Sequence, residues 1–138
     1  MKILKKLILL IILFISACSN EHSFPNTDVY IVIPVTMPQY TNLSVVWGYE
    51  YLTGGLGGII VVRGLDDNFI AYDRSCTFEL NAECIISGKS TNGLTLNCGE
   101  CCNSEFFVVD GSVIEGPANL ALQKYTTYFD GEMLYITN

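Results

Sequence analysis

Histidine is nearly absent: the chain holds one, His22, among 138 residues. A lone imidazole close to the N-terminus cannot build a Ser-His-Asp arrangement around a core, so hydrolase or transferase chemistry has no support in the residues. Cations are scarce as well. Lys2, Lys5 and Lys6 open the chain, and only Arg63, Arg74, Lys89 and Lys124 follow, against fourteen acids. Beyond Cys18 the chain therefore carries four cations and fourteen anions, a formal charge of −10. That balance argues against nucleic acid or an anionic membrane face as a partner. The acids are dispersed as on a solvated surface, and Asp66 and Asp67 fall in a turn. Leu7–Ile15 is the one long apolar run, and it is too short for a permanent transmembrane helix. No segment keeps a helical repeat of useful length.

Residues 1–17 have the make-up of a secretory signal peptide: a lysine-rich start, the apolar run, then Ser16-Ala17 before Cys18. Ile15-Ser16-Ala17-Cys18 resembles the bacterial lipobox, in which the cysteine is acylated and becomes the new N-terminus. Acyl chains on Cys18 would hold the protein at a membrane more firmly than a single fatty acid does. Ser19 follows where an aspartate would signal inner-membrane retention, so the expected location is the cell envelope, as an outer-membrane lipoprotein. Residues 18–28 are polar, include Pro25 and lack periodicity, as befits a lipidated tether.

From Val29 onward short apolar segments alternate with turn residues. Val29–Val35 is an expected strand, with Pro34 marking an edge position or the strand's end. Residues 37–47 are expected to be irregular. Ile59–Val62 and Phe69–Tyr72 are strands about a turn at Gly64–Asn68. Asn92-Gly93 signals a hairpin, as do Asp110-Gly111 between Phe106–Val109 and Ser112–Ile114, and Asp130-Gly131 between Leu122–Tyr128 and Met133–Ile136. Gly54–Gly58 precedes a strand instead of a helix and is therefore a plain glycine loop, not a phosphate cradle. Trp47 and the eight tyrosines suit a β core and its half-buried faces. The fold class is all-β, a small antiparallel sandwich or barrel with cysteine-bearing loops at hairpin tips.

The chemistry-bearing stretch is Cys98-Gly-Glu-Cys101-Cys102-Asn-Ser104-Glu-Phe106, which packs three of the six cysteines into five positions. Small residues between the sulfurs let the backbone curl until they face one point. Cys76 and Cys84 lie upstream and are able to close on it. The motif lacks a following helix to acidify a thiol, which disfavours a thiol-oxidoreductase role.

Tyr72-Asp-Arg-Ser-Cys76, the loop with Cys98, Ser104 and Phe106, Asp110-Gly-Ser-Val113 and Gly116-Pro117-Ala118 together resemble a Rieske-type domain over residues 29–138. The resemblance is to the lipoprotein variants found in Bacteroidota. It implies two hairpin loops over a 2Fe–2S cluster, each giving one cysteine and one histidine, with a Gly-Pro loop as shield. Carried onto this chain, Cys76 and Cys98 take the cysteine positions, and Phe78 stands at the first histidine. Cys101 stands at the second histidine counting from Cys98, and Cys102 counting back from Ser104, so this loop has one extra residue. Ser104 matches the serine that bonds cluster sulfur, Phe106 the following aromatic, Gly116 and Pro117 the shielding loop, and Ala121 replaces a proline. Two imidazoles on one iron are required of a Rieske cluster, and this chain does not have them.

Three occupancies fit the remaining sulfurs. The resemblance implies one in which Cys84 and Cys101 form the inter-loop disulfide known beside some Rieske clusters, while Cys76 and Cys98 join across the former ligand positions. The domain is then a degenerate, disulfide-stabilised structural or binding module without cofactor. The alternative is an electron-transfer protein with a 2Fe–2S cluster on Cys76, Cys98, Cys101 and either Cys84 or Cys102. The third is zinc on the same thiolates. Five cysteines follow Cys18, so each arrangement leaves one sulfur spare.

Overall fold

The computed structural model describes residues 23–80, 83–89 and 93–138, with only the backbone of Lys89 and Glu100. The signal peptide, Cys18 and the start of the tether lie outside the described residues, as does Asn92 of the first hairpin signal.

The described chain forms ten strands: β1 Tyr30–Pro34, β2 Tyr49–Leu52, β3 Ile59–Arg63, β4 Phe69–Asp73, β5 Gly88–Lys89, β6 Thr95–Asn97, β7 Glu105–Phe107, β8 Val113–Glu115, β9 Lys124–Phe129 and β10 Met133–Thr137. Six of them make one antiparallel sheet, ordered β1-β10-β9-β4-β3-β2, and the other four a second, ordered β5-β6-β7-β8. The second sheet is an insertion: the chain leaves the first sheet at the end of β4 and returns at β9, which pairs with β4 through Ala71↔Tyr125 and Tyr72↔Lys124. All the described cysteines fall inside that insertion.

Alternation along β3 and β4 explains how the two sheets share one wall. Successive side chains point to opposite faces of a strand. Ile60, Val62, Ile70 and Tyr72 face the insertion, where they pack with Ile86, Leu96, Phe106, Val108 and the buried cysteines. Ile59, Val61, Phe69 and Ala71 face the other way and meet Leu43, Ile33, Tyr125, Leu134 and Ile136. Since Ile33 and Leu134 belong to the far strands of the same sheet, that sheet curls on itself into a half-barrel. Burial on both faces matches the unbroken apolar sequence of Ile59-Ile-Val-Val62, whereas the edge strand β1 is buried only in part.

The expected strands are present, with shifted ends. Pro34 closes β1 at the sheet edge. Two elements depart from the sequence expectation. Pro38–Ser44, expected to be irregular, is a pair of short 3-10 turns that buries Leu43, with Pro38 opening the first. Tyr49–Leu52, not anticipated, is the edge strand β2, only half-buried and therefore weakly patterned.

The Gly54–Gly58 loop is anchored from within. The backbone N–H groups of Leu56 and Gly57 donate to the Asp73 carboxylate at 2.6 and 3.1 Å, Ser75 N–H donates at 2.8 Å, and the Tyr125 hydroxyl at 2.8 Å. Asp73 is wholly buried at the end of β4. Gly55, at φ +61°, passes so close to Asp73 and Tyr125 that a Cβ would collide with both. The loop's amides thus serve an internal carboxylate, and glycine is needed for the approach.

Candidate functional site: a buried sulfur centre

The two cysteine loops reach the centre by different routes. The second is a true hairpin tip: β6 and β7 pair through Thr95↔Phe107, Leu96↔Phe106 and Asn97↔Glu105, and Cys98 N–H donates to the Ser104 carbonyl at 3.0 Å to close the loop. Between them a 3-10 turn, Gly99–Cys101, curls the chain. Gly99 has φ +60° and presses against Ser87, so a side chain there would be strained and obstructed. The first is a hairpin loop closed outside the named strands. It crosses from β4 of one sheet to β5 of the other, and a single antiparallel bridge, Ser75↔Ile85, with Cys76 N–H donating to the Cys84 carbonyl at 2.7 Å, closes it. Strand pairing ends there because the chain must change sheets. Arg74 reinforces the crossing: its guanidinium donates to the Ile86 carbonyl from Nε and Nη2, at 3.0 and 2.8 Å, while its Cζ lies 3.8 Å from the Tyr51 ring centre.

Within this frame the loops are joined by two disulfides, Cys76–Cys98 and Cys84–Cys101, with Cα separations of 6.1 and 5.7 Å. Both separations lie in the ordinary range for disulfides. The fifth cysteine, Cys102, is unbonded and buried. Its Sγ is 2.9 Å from Cys76 Sγ and 3.3 Å from Ser104 Oγ. The Sγ atoms of Cys76, Cys84, Cys98 and Cys102 all lie within 4.8 Å of one another, and all four residues are buried. Cys101 stands outside this set on the exposed side of the loop. The extra residue of the second loop is accommodated by turning Cys101 outward and Cys102 inward.

The other residues singled out in the sequence surround the sulfurs. Phe78, at the first histidine position, is 44% exposed. Ser104 is fully buried, and its Oγ accepts the Ala118 N–H at 2.9 Å, tying the second loop to the segment after Pro117. Gly116 and Pro117 are exposed, while Ala118 is buried. Thr77, beside Cys76, donates its hydroxyl to the Leu120 carbonyl, so the first loop is fastened to that same segment. Phe106 is buried in the insertion's core. Tyr72 reaches across from β4 and donates its hydroxyl to the Val108 carbonyl at 3.1 Å. Burial, assisted by the Asp110 charge, pushes the Tyr72 phenol well above its ordinary value.

A Rieske cluster does not fit these residues. No imidazole is present among the described residues, Phe78 offers no lone pair, and the other histidine position holds a sulfur. Two contributors were not anticipated from sequence. Asp73 carries no signal apart from its place at a strand end, yet it organises the glycine loop and the start of the first cysteine loop. Ser75 has, among the described residues, a buried hydroxyl without a hydrogen-bond partner, directly before Cys76.

No family model matches the chain, and no curated relative does. Solved structures do match. The cyanobacterial plasma-membrane Rieske protein PetC3 from Synechocystis is 22% identical with a TM-score of 0.60, the match covering 78% of this chain and 99% of that one. The ferredoxin of carbazole 1,9a-dioxygenase from Nocardioides aromaticivorans is 19% identical with a TM-score of 0.55, over 81% of this chain and 98% of that one. A complex of reduced oxygenase and oxidized ferredoxin in carbazole 1,9a-dioxygenase also matches, at 18% identity and a TM-score of 0.50, over 64% and 79% of the two chains. The half-barrel, the inserted sheet and the two cysteine loops of this chain make up a Rieske-like fold.

Proposed function

We propose that this protein is a cell-envelope lipoprotein, anchored through lipid on Cys18, whose Rieske-like domain serves as a disulfide-braced structural or binding module. The observation that carries this reading is the covalent pairing of the loops. Cys76–Cys98 joins the two positions that correspond to cluster cysteines, and Cys84–Cys101 occupies the sulfur at one histidine position. With Phe78 at the other, the loops are held together without a metal. Disulfides spanning 22 and 17 residues would each stabilise the fold by about 3 kcal/mol, mainly by restricting the unfolded chain. An oxidising envelope is the compartment in which such bonds persist. In this reading Ser104 and the Gly116-Pro117 turn serve as loop fasteners, through Ser104 Oγ and the Ala118 N–H.

The test is the mass of the full chain purified without oxygen and without reductant, measured natively and again after denaturation and reduction. The expected result is no metal and a gain of four hydrogens, from the two disulfides, on reduction. Iron and sulfide in equal amounts would overturn it.

A second reading, electron transfer, is favoured by one observation: four buried sulfurs converge within 4.8 Å. In that case Cys76, Cys84, Cys98 and Cys102 are the ligands of a 2Fe–2S cluster and Cys101 is not, and thiolate in place of imidazole lowers the potential below Rieske values. The native mass separates the two readings.

A further inference from the structure

We propose that Cys76 is shared between two partners, its disulfide passing between Cys98 and Cys102 by internal thiol–disulfide exchange. The proposal rests on the disulfide-braced reading above and adds a function for the fifth sulfur. Cys102 is the one unbonded described cysteine, and its Sγ lies 2.9 Å from a sulfur already engaged in a bond. Thiol–disulfide exchange needs only a thiolate placed against a disulfide sulfur. Attack by the Cys102 thiolate on Cys76 Sγ forms the Cys76–Cys102 bond and breaks Cys76–Cys98, and Cys98 leaves as the thiolate. The proton lost by Cys102 is regained at Cys98. One disulfide is exchanged for another, so no outside oxidant or reductant enters.

The surroundings hold the attacking sulfur in place. The Cys102 thiol donates to Ser104 Oγ at 3.3 Å, and the same oxygen accepts the Ala118 N–H at 2.9 Å, so Cys102 is held beside Cys76. Cys98, Cys102 and Ser104 all belong to one hairpin tip, and the Cys98 N–H to Ser104 carbonyl bond holds its two ends together in either state. Both pairings therefore tie the same two loops. What changes is the attachment point in the second loop, which shifts by four residues, and with it the 3-10 turn Gly99–Cys101 that carries the outer disulfide. The centre thus has two covalent states of equal oxidation level.

The experiment is thiol mapping on the full chain. The protein is quenched and denatured in acid, which protonates thiolates and stops exchange. Free thiols are then labelled with N-ethylmaleimide while the pH is still mildly acid, and located by peptide fragmentation. The expected result is one labelled thiol per chain beyond Cys18, divided between Cys98 and Cys102, with the minor position at about 1% or more. Label confined to Cys102 overturns exchange while leaving the disulfide reading intact. Three or five labelled thiols, or bound iron, overturn both. Cys98→Ser supplies an independent check. Its expected product contains Cys76–Cys102 together with Cys84–Cys101 and no free thiol beyond Cys18, whereas free Cys76 and Cys102 would overturn the proposal.

Discussion

The Tyr125 hydroxyl donates to Asp73 Oδ2 at 2.8 Å inside the core, joining β9 to β4 at the place where the cysteine insertion leaves and re-enters the half-barrel. The same carboxylate collects the amides of the glycine loop and of Ser75, immediately before Cys76. One buried side chain thus sets the root of the first cysteine loop. A structural carboxylate of this kind anchors the loop because each removed donor would otherwise be left unsatisfied.

Replacing Asp73 with alanine leaves those four donors without their acceptor. The expected cost is about 3 kcal/mol, read as a lower urea midpoint with an unchanged slope. An unchanged midpoint would mean that water takes over the carboxylate's role.

Alkaline pH should unfold the protein through its buried phenols. Burial pushes Tyr125 up to about 12, against the ordinary 10.0, the neighbouring Asp73 adding to the shift and a Thr27 hydrogen bond opposing it. Below pH 10 folded and unfolded chains both keep the proton, and this group adds no pH dependence. Between about 10 and 12 the unfolded chain releases it while the folded chain holds it, so stability falls as pH rises. Urea midpoints in a Cys102→Ser background should fall across that window, and less steeply in Tyr125→Phe. Equal slopes in the two proteins would remove Tyr125 as the cause.

The two disulfides should differ in their response to reductant. Cys101 lies on the exposed side, whereas Cys76 and Cys98 are buried at 0% and 2% exposure. A brief pulse of a hydrophilic thiol, followed by alkylation, should label Cys84 and Cys101 first. The Cys84→Ala/Cys101→Ala double variant should lose about 3 kcal/mol of stability. Simultaneous labelling of both pairs would mean that reduction follows global unfolding.

Acylation at Cys18 should carry the protein into the detergent phase of a phase-partition assay, and Cys18→Ser should move it to the aqueous phase. Partition of the wild type into water would show that the signal is an ordinary one.

Much of the β framework was legible in the chain. Asp110-Gly111 and Asp130-Gly131 mark turns because their backbone chemistry is local, and Ile59–Val62 reads as buried because a strand covered on both faces needs apolar residues at every position. Tyr49–Leu52 was not legible, since an exposed edge strand has only part of its surface to pattern. The 3-10 turns at Pro38–Ser44 are too short to develop a repeat.

At the site, residue type alone determined that a two-imidazole cluster has no ligands here, because Phe78 and a single distant histidine settle the matter without coordinates. It also determined that five cysteines follow Cys18 in two loops. Only the tertiary structure decided that Cys102 turns inward and Cys101 outward, that Cys76 meets both Cys98 and Cys102, and that Asp73 roots the loop. Composition and short-range pattern report what a residue can do. Which sulfur or donor it meets depends on how β4 hands the chain to a second sheet, and contacts separated by 17 to 52 residues leave no trace in local sequence.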